Sequence, residues 1–137
     1  MSTELSQLRF LIVDDSEIVR RAIANDFLAF GVHCDFAADG GAAVELLGQN
    51  TYDLITMDMY MPRMNGLELI NWMTAHGIPT PVIVVTTENN RAITVRCLQM
   101  GVAGYLAKPF KGEDLVAKVA EVLHKIGKEF KKKGSSE

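Results

Sequence analysis

At 137 residues and 48% hydrophobic, the chain has room for one domain with a sizeable core and none for a second. No apolar run approaches the roughly 18 residues of a membrane span, and Met1 to Leu8 lacks the basic-then-apolar layout of a secretion signal, so a cytoplasmic protein without a membrane span is expected. The net charge of −3 is uneven, with 9 Lys/Arg against 15 Asp/Glu in residues 1–124 and 5 against 2 in residues 125–137; so acidic a body excludes direct DNA binding, which needs cations acting together on phosphates.

After a polar N-terminal extension over residues 1–8, the run Phe10 to Val13 predicts a strand, its lack of alternation matching a strand covered on both faces. Val19, Ile23, Phe27 and Phe30, at steps of four, four and three, predict one face of a first helix that Gly31 stops. A second strand is expected around Val32 to Phe36, and Asp39-Gly40 opens a second helix through Leu47. Leu54 to Met57 is the third strand, and Gly66 precedes a third helix carrying Leu67, Ile70 and Met73 before Gly77 and Pro79. Val82 to Val85 is the fourth strand, with a helix from near Asn89 to Gly101. A short fifth strand at Ala103 to Leu106 leads to a fifth helix from Gly112–Asp114, with Leu115, Val119, Val122 and Ile126 on one stripe. Lys131-Lys132-Lys133 before Gly134-Ser135-Ser136 reads as a basic, flexible, solvated tail over residues 127–137. Cys34 and Cys97, far apart and without a partner at ligand spacing, read as buried small hydrophobes, not as a disulfide or zinc ligands.

Five alternating units imply an α/β domain, a (βα)5 parallel sheet with helices on both faces and right-handed crossovers. In such open sheets ligands bind beyond the carboxyl ends of the strands, where the strand order reverses. Asp14 and Asp15 follow the first run and Asp58 the third, so the neighbouring strands of a doubly wound sheet bring all three to one crevice. Each alone reads equally well as a helix cap. Together, carboxylates about 6 Å apart repel by roughly 3 kcal/mol per pair at an effective dielectric near 20, which either a hard divalent cation or protonation of one carboxyl relieves. An all-oxygen set favours Mg²⁺, with Mn²⁺ as the alternative. Thr86 brings a hydroxyl and Lys108 an ammonium to the same rim; singly they read as a cap and a surface charge, together they complete a set suited to phosphoryl transfer.

Asp14-Asp15, Asp58-Met59-Tyr60-Met61-Pro62-Arg63-Met64-Asn65-Gly66, Val85-Thr86 and Gly104-Tyr105-Leu106-Ala107-Lys108-Pro109-Phe110 match in order and spacing the motifs of a known family. Over residues 9–126 the chain resembles the receiver domain of bacterial two-component response regulators, in its stand-alone, chemotaxis-type (CheY-like) form. The resemblance implies a flavodoxin-like strand order 2-1-3-4-5. It implies that Asp58 accepts a phosphoryl group from a sensor histidine kinase, a histidine phosphotransfer protein or a small phosphodonor. By the same resemblance Asp15 and Asp58 ligate Mg²⁺ directly, Asp14 directly or through water, and Tyr60 through its backbone carbonyl. Lys108 pairs with a phosphoryl oxygen, Thr86 with another, and Lys108-Pro109 is cis. Thr86 then moves inward, Tyr105 follows, and the surface of the fourth helix, fifth strand and fifth helix changes for a downstream protein target.

Three positions depart from the common pattern: Tyr60 where smaller polar residues are frequent, Thr87 for a usual Ala or Ser, and Asn65 for a common Asp. The Tyr60 ring beside the site leads to the expectation of a longer-lived phosphorylated form. The resemblance makes the chain a phosphoacceptor, not an enzyme, as a monomer or a phosphorylation-dependent dimer. Rival readings are a receiver cut from a longer regulator and a Mg²⁺-dependent aspartate-nucleophile phosphatase of the haloacid-dehalogenase type, against which Ser16 stands two residues after Asp14 where a second Asp belongs. A flavin-binding module is disfavoured because the clustered acids would repel an FMN phosphate. His33, His76 and His124 are scattered and read as surface histidines, Met57, Met59, Met61 and Met64 as packing, and Trp72 as packing near the surface.

Overall fold

The continuous apolar runs form strands whose alternate residues serve two different helical layers. The computed structural model describes residues 7–87 and 91–133. Most of the expected N-terminal extension, the start of the fourth helix near Asn89 and the Gly134–Ser136 end lie outside them. The strands are β1 (Arg9–Val13), β2 (His33–Ala37), β3 (Leu54–Met57), β4 (Val82–Thr86) and β5 (Gly104–Ala107), all parallel in the order β2-β1-β3-β4-β5. The helices are α1 (Glu17–Asp26), α2 (Gly40–Gln49), α3 (Gly66–Ala75), α4 (Arg91–Gln99) and α5 (Gly112–Lys125). This is the expected doubly wound, flavodoxin-like α/β fold, its strands β1 and β3 adjacent at the reversal point.

Phe10, Ile12, Leu54, Ile83 and Val85 face a core with Ile23 and Phe27 of α1 and Leu115, Val119, Val122 and Leu123 of α5. Their sequence neighbours Leu11, Val13, Ile55, Met57 and Val84 face the other core, with Ala43 and Leu47 of α2, Leu69, Ile70 and Met73 of α3, and Cys97 of α4. Removing both faces of a strand from water contributes about 1.5–3 kcal/mol per large side chain, which is why these runs do not alternate with polar residues.

Several expectations need correction. The first helix does not run to Phe30: α1 ends at Asp26, and Leu28–Phe30 form a 3₁₀ turn closed by Gly31 at φ 66°. The three-residue step from Phe27 to Phe30 suits a 3₁₀ turn, where side chains at i and i+3 eclipse, and it lets Phe27 meet Phe10 edge-on at 5.0 Å. Ile126 leaves the expected stripe because α5 stops at Lys125; it caps the helix, exposed, and Leu123 takes the core position. Cys34 lies on the edge strand β2 and is half-buried, whereas Cys97 is buried as expected.

The expectation of a solvated tail from residue 127 also differs from the structure. Phe130 stacks on Phe30 at 4.1 Å and meets Phe27 and Phe10 at 6.2 and 6.0 Å. The Lys133 N–H donates to the Ala29 carbonyl at 2.6 Å, and Lys128 pairs with Asp53. The one aromatic residue in this lysine-rich stretch anchors it over the end of the sheet opposite the acidic motifs, while Lys131, Lys132 and Lys133 remain exposed.

Candidate functional site

β1 and β3 end side by side, so the chain leaves the sheet at Asp14 and Asp58 within one crevice. The Asp14 N–H donates to the Ala37 carbonyl and the Asp58 N–H to the Val13 carbonyl, both at 3.0 Å, extending the ladder to the residues themselves. Asp14 and Asp58 are buried, Asp15 exposed. One carboxylate oxygen from each of the three lies within 4.8 Å of the others. At that separation two full charges repel by about 3.5 kcal/mol at an effective dielectric of 20.

The cap of α1 is Ser16, not Asp14 or Asp15. Ser16 Oγ accepts from Val19 N at 3.2 Å, and Asp14 Oδ1 accepts from Ser16 N at 2.9 Å, which turns the Asp14 carboxylate back toward the crevice. Thr86, fully buried, donates through Oγ1 to Asp58 Oδ1 at 2.8 Å. That oxygen also accepts from Tyr60 N at 3.1 Å.

Lys108 is no surface charge: its side chain is 13% exposed, with Nζ 2.7 Å from Asp14 Oδ2 and 3.2 Å from Asp58 Oδ2. The Lys108 N–H donates to the Thr86 carbonyl at 2.9 Å, continuing the β4–β5 pairing, and the Lys108–Pro109 bond is cis as the resemblance implies. Burial pushes the Asp14 carboxyl above its ordinary value against the opposing pull of Lys108 and the Ser16 N–H, and Asp58 adds to the rise. For Lys108, burial acts downward but Asp14 and Asp58 outweigh it, so the ammonium is held above its ordinary value. Among the described residues, the Lys108 ammonium facing three carboxylates leaves an excess of negative charge in an all-oxygen pocket, a donor set that fits Mg²⁺ or Mn²⁺.

The other singled-out residues lie around this centre. The Tyr60 ring is 49% exposed beside the site. Thr87 is exposed on the same rim. Tyr105, half-buried on β5 opposite Val84, packs against the core beneath α4. Asn65 serves its helix fully, forming a capping box with Glu68 that starts α3. The three histidines are exposed, and Trp72 is half-buried, stacked on His76 at 4.2 Å. Two residues near the site escaped the sequence reading in this role: Asp39, noticed only as a helix opener, and Arg63, which pairs with it.

Residues 10–120 match the model of the response regulator receiver domain. The chain is 40% identical over 111 residues to the Regulator of RpoS of Escherichia coli K12, covering 81% of this chain and 33% of that protein. It is 32% identical over 118 residues to the Response regulator MprA of Mycobacterium sp. (strain KMS), covering 86% of this chain and 51% of that one. The chain therefore spans about a third to a half of these relatives' length. Among solved structures, the Chemotaxis response regulator CheY4 of Vibrio cholerae superposes with TM-score 0.78 at 30% identity, over 86% of this chain and all of that one. The Francisella response regulator 1452 receiver domain superposes with TM-score 0.81 at 28% identity, over 88% of this chain and 99% of that one.

Proposed function

The chain belongs to the response regulator receiver domain family of two-component signalling, and on that premise we propose that it works as a phosphorylation switch with Asp58 as the phosphoacceptor. The observation that carries this reading is the convergence on Asp58 of a hydroxyl at 2.8 Å, a backbone N–H at 3.1 Å and an ammonium at 3.2 Å, beside two further carboxylates.

One Asp58 carboxylate oxygen attacks phosphorus, and the P–N bond of a phosphohistidine, or the P–O bond of a small acyl phosphate, breaks with its electron pair leaving on the donor. The product is an aspartyl phosphate. Lys108 and the Thr86 hydroxyl, both already on Asp58, are placed to transfer their bonds to phosphoryl oxygens as those take up charge. Asp15 and Asp58, Asp14 directly or through water, and the Tyr60 carbonyl would hold the ion. A bound Mg²⁺ supplies further neutralisation of the phosphoryl oxygens. Thr86 would pass its bond from Asp58 to a phosphoryl oxygen as the switch is thrown. Tyr105, on the strand beside it, transmits the exchange to the α4–β5–α5 surface and a downstream protein.

Beside Lys108 and Thr87 runs an open, mostly apolar groove of about 510 Å³ between α1 and the loop before α5, lined by Ile18, Ala22, Pro109 and Phe110. Ile18 is 82% exposed there. This groove suits the approach of the histidine-bearing donor protein, a sensor kinase or a histidine phosphotransfer protein.

The deciding experiment is intact-mass measurement after incubation with acetyl phosphate and MgCl2. The wild type gains one PO3 unit, about 80 Da, and Asp58→Asn gains none. Repeated turnover of added phosphomonoesters, in place of one stoichiometric event, would move the reading to a phosphatase.

A further inference from the structure

Among the described residues, Arg63 is the non-glycine residue with positive φ, at 68°. An L side chain is disfavoured there, so the conformation persists only where contacts hold it. Asp39 holds it: its Oδ2 accepts from Arg63 Nε at 3.0 Å and again from Nη2. Asp39 is itself fixed, nine-tenths buried, its Oδ1 capping α2 at Ala42 N at 2.8 Å. The next residues make a second link, in which the Gly40 N–H donates to the Met64 carbonyl at 3.2 Å. A Cβ at position 40 would stand 2.6 Å from the Met64 side chain and 2.7 Å from that carbonyl, so only glycine lets the two turns touch.

These contacts bind the turn that enters α2 to the loop between β3 and α3. The loop's ends are fixed independently, by Asp58 in the sheet ladder and by the Gly66 N–H on the Met59 carbonyl at 3.0 Å. Residues 60–62 belong to no helix or strand; the Tyr60 N–H is held by Asp58, Met61 packs against the core, and the first ion pair that follows them is that of Arg63. The Tyr60 carbonyl, the backbone atom offered to the ion, rides on that span.

We propose that the Asp39–Arg63 ion pair is a positioning clamp that sets the divalent-ion affinity of the phosphoacceptor site, acting through the loop and touching neither ion nor phosphoryl group. The inference rests on the reading of Asp14, Asp15, Asp58 and Tyr60 as the ion site. Partners that orient a metal ligand from outside the coordination sphere commonly change affinity tenfold or more. The pair is exposed on the Arg63 side, at 75%, so its loss leaves the fold intact.

The test is calorimetric titration of the unphosphorylated full chain with MgCl2, for wild type, Arg63→Ala, Arg63→Lys and Asp39→Asn. Asp39→Asn keeps an oxygen to cap α2 and removes the charge facing Arg63. Arg63→Ala and Asp39→Asn are expected to bind Mg²⁺ roughly tenfold more weakly, with Arg63→Lys recovering most of the loss. Metal-free melting temperatures should stay within about 4 °C of wild type. At saturating MgCl2 the labelling rate from acetyl phosphate returns to the wild-type value, because every reacting group is present. Affinity within about twofold of wild type in Arg63→Ala, or Arg63→Lys as weak as Arg63→Ala, overturns the clamp alone. A wild type that takes up no Mg²⁺ overturns the ion site and the clamp with it.

Discussion

The carboxyl end of the sheet and its edge strand β2 treat a confined carboxylate in opposite ways. At the carboxyl end, burial holds the Asp14 carboxyl above its ordinary value despite an ammonium at 2.7 Å, and Asp58, which shares that ammonium, adds to the rise. In the middle of the edge strand β2, opposite Leu11, burial would also raise Asp35, but the Tyr52 hydroxyl at 2.6 Å, His33 at 3.0 Å and Arg9 at 3.1 Å overcome it, and the carboxyl sits below its ordinary value. On the other face of the sheet, away from Tyr52, lies the packed cluster Phe10, Phe27, Phe30 and Phe130. Asp35 thus has a hydroxyl, a histidine and a guanidinium to itself, whereas Asp14 shares its ammonium with Asp58.

The largest effect should come from breaking that packing. Phe27 is fully buried, and Phe27→Ala is expected to cost about 3–5 kcal/mol in urea denaturation. Molecules that remain folded should take up phosphate on Asp58 at the wild-type rate. A comparable fall in the rate per folded molecule would show that the two regions are not separable.

Next is a substitution at the site that should stabilise. Asp14→Asn, compared in chelator near neutral pH, is expected to gain about 1–2 kcal/mol by removing a buried charge and its repulsion with Asp58. Because the folded Asp14 carboxyl is raised above its value of 3.8, the wild type is at no disadvantage below that pH and loses ground as pH rises through the raised value. The advantage of the Asp14→Asn variant should open over that interval and narrow when MgCl2 is added. A variant no more stable than wild type at neutral pH would mean that Lys108 alone balances the cluster.

Asp35 titrates with the opposite sign. Its folded value is depressed, so its contribution is present above 3.8 and is lost as pH falls through the depressed value. Tyr52→Phe removes one of the bonds responsible and is expected to cost about 1 kcal/mol at neutral pH. Its stability curve should also fall less steeply on the acid side than that of the wild type. Identical acid limbs for the two proteins would assign the depression to His33 and Arg9 instead.

The same contrast explains what the sequence disclosed. Asp14, Asp15, Asp58, Thr86 and Lys108 each stand directly after an apolar run, and parallel pairing turns that local position into shared space, so a reading of strand ends is enough to assemble them. Phe130, the Asp35–Tyr52 bond and the Asp39–Arg63 pair join residues 17 or more apart through side chains. Nothing periodic marks such partners. A faint signal existed at Phe130, an aromatic residue among lysines, and at Asp39 before two glycines, but neither names the other half of its contact. The end of α1 was missed for a related reason: the period of a helix and of a 3₁₀ turn agree over a single step, and only the inward packing of Phe27 separates them.

The smallest effect concerns the lifetime of the phosphorylated state. The bond from Tyr60 to Asp58 Oδ1 is made by the backbone N–H, so Tyr60→Asn leaves the support of the acceptor unchanged and removes only the ring. Tyr60 is 49% exposed, so its ring would act as a partial screen and not as a lid. Hydrolysis of the aspartyl phosphate needs water in line with the P–O bond, and a partial screen reduces the fraction of productive approaches without abolishing them. The expected outcome is a dephosphorylation rate a few-fold faster in Tyr60→Asn, roughly 1 kcal/mol or less in barrier height, with the rate of phosphate uptake from acetyl phosphate little altered. If the two proteins lose phosphate at the same rate, the ring stands clear of the water's path, and the lifetime is governed by Thr86 and Lys108, which hold the phosphoryl oxygens, and not by what shades them.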